Sequence, residues 1–390
     1  MKFLTEYRNP ELVKFYLNEI EKIVTKPWNI MEICGGQTHS LVKNGLLELL
    51  PDNVRMIHGP GCPVCVTPIS LIDKAVALME KGAVLCSFGD MVRVPGSKKS
   101  LLQAKADGGD LRILYSPLEA VQIAEKNPEK EVVFFAVGFE TTAPSNALSV
   151  VHAQKLGLKN FSLLVSHVLV PPAMEAILDD EFCNIDAFLG AGHVCTIMGT
   201  SEYFPLAEKY KIPIVVSGFE PADLLQAIYH AVLQLEKGEH KVENCYERLV
   251  KDEGNIPAMK VVNEIFEIGT QEWRGIGEIP NSGLVMKEKY QNFDASKKFD
   301  IENSEKKEEN LCIAGEILKG IKKPMECPQF GKTCNPGNPL GAPMVSSEGA
   351  CAAYYHYNWK LKVENSKKLS HHQIITLSHH QIITSSHHHI

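Results

Sequence analysis

Two cysteines separated by two residues form the motif with the clearest chemistry. Cys62 and Cys65 lie in the sequence CPVC, between a predicted strand and a predicted helix. A thiol near a helix N-terminus is stabilised as the thiolate, and two such thiols can close a reversible disulfide. The motif therefore favours redox or exchange chemistry. Half of a zinc site, which would need a second pair of ligands nearby, and inert burial are the alternatives.

Cys34 opens the sequence CGGQTH after an earlier predicted strand. Gly35 and Gly36 would let the backbone approach a ligand closely. The side chains that could add hydrogen-bond donors or acceptors there are Gln37, Thr38 and His39. A soft thiolate in such a loop suits iron or another thiophilic metal. A buried cysteine followed by a helix cap explains this motif slightly better when it is taken alone, but the CPVC motif after the next strand reverses that preference.

Four cysteines near the end of the chain form a third group. They are Cys312, Cys327, Cys334 and Cys351, with the spacing C-x14-C-x6-C-x16-C in a segment rich in Gly and Pro. Four thiolates can enclose a [4Fe–4S] cluster or a single zinc ion. The spacing matches neither the ferredoxin nor the zinc-ribbon pattern, so iron–sulfur, zinc and free thiols all remain open.

Further polar groups and glycines stand in the loops that follow predicted strands. They are Gly61, Asp90, Glu140, Thr141, Thr142 and Glu220. The three carboxylates could shuttle protons or orient hydrogen-bond partners, and could equally cap helices. The remaining cysteines are expected to pack as small hydrophobic residues; they are Cys86, Cys183, Cys195 and Cys245.

The elements that must position these residues alternate between short β-branched runs and longer helical patterns. The predicted strands are 28–34, 54–59, 83–89, 111–116, 131–138, 161–167, 185–192 and 211–218. Such alternation is typical of βαβ units and a parallel sheet. Because ligands bind at the carboxyl ends of parallel strands, the polar loops are expected to converge on one face or one cleft.

The predicted fold is α/β, with two similar parallel-sheet domains and a third, smaller, cysteine-rich domain that a metal would organise. The polar stretch 126–130 suggests a boundary between similar halves, 1–120 and 121–232. Residues 233–360 would form the third domain, in which the alternation of strands and helices fades. Residues 361–390 contain SHHQIIT twice and then SSHHH, which predicts a disordered extension.

Composition and charge exclude several classes of function. The formal net charge is −7, and no Lys/Arg stripe interleaved with aromatic residues is present, so we expect no nucleic-acid partner. No run of 18 or more apolar residues occurs, so we expect no membrane span. Eleven cysteines, several of them in tight local groups, and an acidic amphipathic pattern at the N-terminus where a signal peptide would be, predict a cytoplasmic protein.

Several motifs together resemble the HypD family of [NiFe]-hydrogenase maturation proteins. They are CGGQTH (34–39), GPGCPVC (59–65), FGDMVRVPGS (88–97), GFETTAP (138–144), SGFEPAD (217–223), CPQFGKTC (327–334) and MVSSEGACAAYY (344–355). The resemblance runs in order over about residues 5–360. It implies two Rossmann-like parallel-sheet domains that face a cleft, and a smaller cysteine-rich iron–sulfur domain that holds a [4Fe–4S] cluster.

The resemblance also implies roles for individual cysteines. Cys34 would hold the iron of an Fe(CN)2CO unit, shared with a cysteine of a small HypC-type chaperone. Cys62 and Cys65 would be a redox-active pair, and the four late cysteines would hold the cluster. A HypE-type protein would donate cyanide, and the finished unit would pass to the hydrogenase large subunit.

Two other functions fit parts of the sequence. The first is a [4Fe–4S]-dependent thiol–disulfide reductase that acts on another protein. The second is a zinc-stabilised module with a nucleotide in the α/β cleft, which the absence of a complete GxGxxG or GxxxxGK[ST] motif at a strand-to-helix turn argues against.

Overall fold

All eight predicted strands are present. The computed structural model describes residues 6–301 and 311–358. Its strands are β1 (Trp28–Glu32), β2 (Val54–His58), β3 (Val84–Ser87), β4 (Leu111–Ile113), β5 (Val132–Gly138), β6 (Phe161–His167), β7 (Ala187–Ala191), β8 (Ile214–Ser217), β9 (Val242–Asn244), β10 (Phe266–Trp273) and β11 (Gly277–Met286). The sequence did not predict β9, β10 or β11.

Helices connect the strands, and two short helices lie in the cysteine-rich segment near the end of the chain. They are α1 (Pro10–Ile23), α2 (Gly35–Lys43), α3 (Pro63–Val66), α4 (Ile69–Glu80), α5 (Leu101–Ala106), α6 (Pro117–Lys126), α7 (Ala143–Lys155), α8 (Val170–Leu178), α9 (Gly192–Met198), α10 (Tyr203–Tyr210), α11 (Pro221–Lys237), α12 (Ile256–Ile265), α13 (Ala295–Lys298), α14 (Ala314–Leu318) and α15 (Ala350–Ala353). No helix in the described part of the chain is long and apolar enough to span a membrane.

The strands form two parallel sheets. The first sheet has the order β2-β1-β7-β8-β9, and the second has the order β4-β3-β5-β6. Every pairing within the two sheets is parallel. The predicted α/β class with two parallel sheets is therefore confirmed.

The two sheets do not follow the expected division at residue 120. The chain leaves the first sheet after β2, builds the whole second sheet from β3 to β6, and returns to the first sheet at β7. The stretch 126–130 connects α6 to β5, which pairs with β3 in the same sheet. The boundary was misplaced because hydrophobic periodicity identifies strands but does not specify which strands pair.

The cysteine-rich segment 311–358 packs against helix α2 of the first sheet. Helix α15 lies against α2, which follows β1 directly. The antiparallel hairpin β10–β11 packs against β6 and α8. Two features of the sequence lie outside the described residues. They are the His-rich repeat at 361–390 and residues 302–309 of a run rich in acidic residues and lysine, 297–309.

Candidate metal and thiol site

Cys34 occupies the turn between β1 and α2. It is the N-cap residue of α2 and only 1% exposed. Its Sγ lies 3.3 Å from Nδ1 of His193, at the start of α9 in the neighbouring strand connection. Burial, followed by the nearby Glu348 carboxylate, raises the pKa of the Cys34 thiol well above its usual value. Burial also lowers the pKa of His193 to about 4, so its imidazole is neutral at neutral pH.

Two glycines bring the Cys34 turn into contact with the CPVC loop. The Gly35 N–H donates to the Gly61 carbonyl at 2.8 Å. A Cβ placed on Gly61 would lie 2.3 Å from the Cys34 nitrogen, which is closer than any side chain permits. Glycine at position 61 therefore allows the two loops to approach backbone to backbone.

Cys62 and Cys65 form a disulfide in this structure. Their sulfurs are 2.09 Å apart and their Cα atoms 5.2 Å apart. Cys62 is the N-cap residue of α3, and its Sγ accepts the Cys65 N–H at 3.1 Å. Such a pair can take up two electrons and two protons and open to a dithiol.

A buried polar chain supports the Cys34 turn from the β1 side. Glu32 is fully buried and accepts from the Cys34 N–H at 2.9 Å and from the Thr38 hydroxyl. Nδ1 of His58 lies 2.7 Å from the same carboxylate, and its Nε2 lies 2.9 Å from the Tyr354 hydroxyl. These hydrogen bonds thus connect Tyr354 in the cysteine-rich segment, through His58 of β2 and Glu32 of β1, to the backbone of Cys34.

The four late cysteines line one cavity. Cys312, Cys327, Cys334 and Cys351 face it together with apolar side chains that include Ile317, Phe330 and Met344. Burial is the largest cause that raises the pKa values of Cys312, Cys334 and Cys351, and repulsion from neighbouring members of the group adds to it. A cationic centre among these sulfurs would reverse that effect.

The spacing of these sulfurs is wider than a single metal ion requires. Zinc with Zn–S bonds of about 2.3 Å brings tetrahedral thiolates to about 3.8 Å from one another. Within the described residues, no three of the four sulfurs lie within 4.8 Å of one another.

The disulfide helix and the four-cysteine cavity share a wall. Helix α3 packs against the segment Ala342–Met344, and Pro343 and Met344 of that segment line the cavity. The turn between β10 and β11 also contacts α3, because the Arg274 N–H donates to the Val66 carbonyl at 2.8 Å. The Arg274 charge is also close enough to Cys312 to oppose the rise in its pKa.

Comparison with known proteins identifies the family. A profile of HypD, described as "Hydrogenase formation hypA family", matches residues 11–358. The chain belongs to the HypD family. It is 48% identical over 368 residues to hydrogenase maturation factor HypD2 of Bradyrhizobium diazoefficiens, covering 92% of this chain and 97% of that protein.

Other HypD proteins are similar over the same length. The chain is 47% identical over 367 residues to hydrogenase maturation factor HypD of Azotobacter vinelandii, covering 92% of this chain and 97% of that one. It is 44% identical over 366 residues to HypD of Escherichia coli K12, with 92% and 98% covered. The chain is thus a hydrogenase maturation factor of the HypD family.

Not every predicted site residue of this HypD-family chain points toward Cys34. Nε2 of Gln37 donates to the carbonyls of Gly190 and Ser217 at 3.0 and 3.2 Å, at the ends of β7 and β8. His39 faces the cysteine-rich end, with Nδ1 3.0 Å from the Ser347 carbonyl. The Glu220 carboxylate forms an ion pair with Arg8 at 2.6 Å.

The residues after β3 and β5 form hydrogen bonds with several parts of the chain. Asp90 accepts from the Ser346 hydroxyl at 2.9 Å. Oε1 of Glu140 accepts from the Val170 N–H at 2.8 Å, while its Oε2 is buried without a hydrogen-bond partner. Thr142 precedes α7 and donates to the Phe139 carbonyl at 3.2 Å, and Thr141 beside it is half-buried. Burial raises the pKa of Glu140 to about 8.

Sequence reasoning missed four residues that contact the Cys34 turn or support it. They are Glu32, His58, Glu348 and Tyr354. A Cβ on Gly35 would lie 2.5 Å from the Glu348 Cβ, so the SSEG segment packs directly on the CGGQTH turn. A signal was present for Glu32, because an acid inside a strand that is otherwise apolar must find partners when it is buried.

Proposed function

We propose that this HypD-family chain is the scaffold on which an Fe(CN)2CO unit is assembled for a [NiFe]-hydrogenase. In this proposal Cys34 is the protein ligand of the iron, which is cargo and not a resident cofactor. The disulfide pair Cys62 and Cys65 exchanges electrons, and the four late cysteines hold a [4Fe–4S] cluster.

The contact between Cys34 and His193 is the observation that carries the proposal. A thiol that burial keeps protonated and an imidazole that burial keeps neutral have no charge to stabilise each other. A divalent cation would supply that charge and replace the thiol proton, and thiolate sulfur is a ligand that iron accepts. Because Cys34 is 1% exposed, iron would reach it only after neighbouring residues such as Phe219 and Glu348 move.

The residues around the four-cysteine cavity fit a polynuclear cluster better than a zinc ion. Four thiols meet in a largely apolar enclosure, and their separation exceeds what one tetrahedral ion requires. A bound cluster would supply a one-electron store. The apolar wall excludes water, and the shared Ala342–Met344 segment brings the cavity next to α3.

The Cys62–Cys65 disulfide would exchange electrons with the cluster, and it takes up two electrons when it is reduced. Reduction adds two electrons and two protons and yields the Cys62 and Cys65 thiols. Contact through Gly61 places this chemistry beside the Cys34 turn.

The proposed partners follow from the family. A HypC-type chaperone would supply the second cysteine ligand of the iron, and a HypE-type protein would supply cyanide. The hydrogenase large subunit would receive the unit through the chaperone, in the cytoplasm. Contributions of His39, Asp90, Glu140, Thr141, Thr142 and Glu220 to proton transfer or positioning stay predictions.

Infrared spectroscopy of protein co-expressed with the small chaperone and the cyanide donor tests the scaffold role. The wild-type complex should show cyanide and carbonyl stretching bands. Cys34→Ala should lose them while it keeps the visible absorption of its cluster, and the matched control Cys183→Ala should keep both. Undiminished bands in Cys34→Ala would refute the role of Cys34.

The alternative function is a [4Fe–4S]-dependent thiol–disulfide reductase acting on a protein disulfide. The buried, closed Cys62–Cys65 disulfide next to the cysteine-rich cavity favours it. A reductase should retain its rate of disulfide reduction in Cys34→Ala, whereas the scaffold should lose its cargo in that variant.

A further inference from the structure

A second group of metal-ligand side chains lies at the edge of the first sheet, outside the site described above. His230 is on α11, Glu243 is in the edge strand β9, and Cys245 follows that strand. One ligand atom from each lies within 4.8 Å of the other two. Nδ1 of His230 is 2.7 Å from the Glu243 carboxylate. All three residues are half-buried, so a small ion could reach them from solvent.

The fold fixes the positions of these three side chains. The Cys245 N–H donates to the Val216 carbonyl of β8 at 2.9 Å, which extends the pairing of β9 with β8. Nε2 of Gln234 donates to the Glu243 carboxylate at 3.0 Å and comes from the same helix as His230, one turn later. The donors therefore lie on a helix and a paired strand, where their backbones are rigid.

The three donors are those that zinc uses in proteins. Thiolate, imidazole and carboxylate all bind zinc, and a site with three protein ligands keeps a fourth position for water. A thiolate and an imidazole disfavour magnesium and calcium, which prefer oxygen ligands. Without a cation the thiol is protonated at neutral pH, because burial, with the nearby Glu243 carboxylate, raises the pKa of Cys245 to about 12.

We propose that His230, Glu243 and Cys245 bind a zinc-like divalent cation, with water as the fourth ligand. Binding replaces the Cys245 thiol proton, which is released to solvent, so affinity should rise with pH. The ion would join β9, a strand of only three residues, to α11. Its role is to stabilise the edge of the first sheet, and it is independent of the proposed assembly of Fe(CN)2CO.

Anaerobic titration with cobalt(II) tests the site in the full-length protein. The anaerobically purified protein is first freed of loosely bound metal with a chelator. Wild type should gain one equivalent of thiolate-to-cobalt charge-transfer absorption, which zinc then displaces. The His-rich residues 361–390 contain no cysteine and so contribute nothing to that band.

Variants assign the band to these residues. Cys245→Ser and His230→Ala should each lose it, whereas Cys183→Ser, which removes another half-buried cysteine, should keep it. An unchanged band in Cys245→Ser would overturn the proposal, as would its loss in Cys183→Ser.

Zinc-dependent thermal stability provides a second readout that does not require Cys245 to be altered. Zinc should raise the melting temperature of wild type and leave that of His230→Ala unchanged. Equal zinc-induced shifts in the two proteins would mean that zinc binds elsewhere, and this would also overturn the proposal.

Discussion

At the level of single residues, burial favours the uncharged forms of Cys34, His193 and Glu140. It raises the pKa of Cys34, lowers that of His193 to about 4 and raises that of Glu140 to about 8. Burial, with a smaller contribution from the nearby Glu140, also raises the pKa of the Cys195 thiol. The buried thiols of Cys34 and Cys195 are therefore protonated at neutral pH and poorly suited to act as free thiolate nucleophiles.

Glu140→Gln should change how stability depends on pH. The folded chain keeps the Glu140 proton up to about pH 8, whereas the unfolded chain loses it near 4.5, so this residue lowers stability as pH rises between those values. The cost reaches at most about 5 kcal/mol. Glutamine keeps the acceptor for the Val170 N–H and has no charge. Urea unfolding of the variant should therefore show a shallower loss of stability from pH 5 to pH 8.

Glu129→Gln is the matched control for that experiment, since Glu129 is exposed. It should follow the wild-type dependence on pH. Identical dependences for wild type and Glu140→Gln would contradict the assigned protonation of Glu140.

The hydrogen bonds that connect Glu32 to Tyr354 predict different losses in the free energy of unfolding for variants at the two residues. Glu32→Ala leaves the Cys34 N–H, the Thr38 hydroxyl and His58 without their shared acceptor, and should cost about 3–5 kcal/mol. Tyr354→Phe removes only the terminal hydroxyl and should cost about 1 kcal/mol. Free energies of unfolding from urea titration would measure both. A larger loss for Tyr354→Phe than for Glu32→Ala would show that the contacts do not act as assigned.

At the level of elements, the close approach of two loops decides where Cys34 lies. The turn after β1 and the loop after β2 meet at Gly61, where there is no space for a side chain. The hairpin β10–β11 adds a second connection, since Arg274 bonds to α3 while Gly275 packs on Gly315 beside Cys312. Both connections depend on glycine.

Gly61→Ala should separate the Cys34 turn from the CPVC loop. The added Cβ would contact backbone atoms of Cys34 that cannot rotate away, so we expect a loss of about 1–3 kcal/mol in the free energy of unfolding. Gly89→Ala is the control, because a Cβ there would meet only Ile113 at 3.7 Å. Equal stabilities of the two variants in urea would show that the loops are not in the contact described.

The sequence predicted the helices and strands better than it predicted which strands pair and which side chains meet. Buried β-branched runs such as 131–138 and 161–167 identified strands of the second sheet, because parallel strands covered on both faces are almost wholly apolar. Strand β10 was missed because its middle is largely exposed and carries polar residues. His58 was missed because a single histidine at a strand end gives no indication that Glu32 and Tyr354 will lie beside it.

At the level of the whole molecule, the chain builds the second sheet between two parts of the first sheet. The cysteine-rich segment 311–358 then packs against helix α2 of the first sheet. The chain forms β1 and β2, then the entire second sheet, and only then completes the first sheet with β7 to β9. Cys34 and His193, which are 159 residues apart, meet because β1 and β7 are neighbours in one sheet. Their contact could not be predicted from the sequence, since it depends on strand order and not on local pattern.

Mössbauer spectroscopy of the ⁵⁷Fe-labelled complex with the HypC-type chaperone tests whether Cys34 holds the cargo iron while the four late cysteines hold a cluster. We expect two iron environments in a ratio of about four to one, from the cluster and the low-spin cargo iron. Cys34→Ala should keep the first and lose the second. A cargo component that persists in Cys34→Ala, or wild-type protein with zinc and no cluster iron, would contradict it.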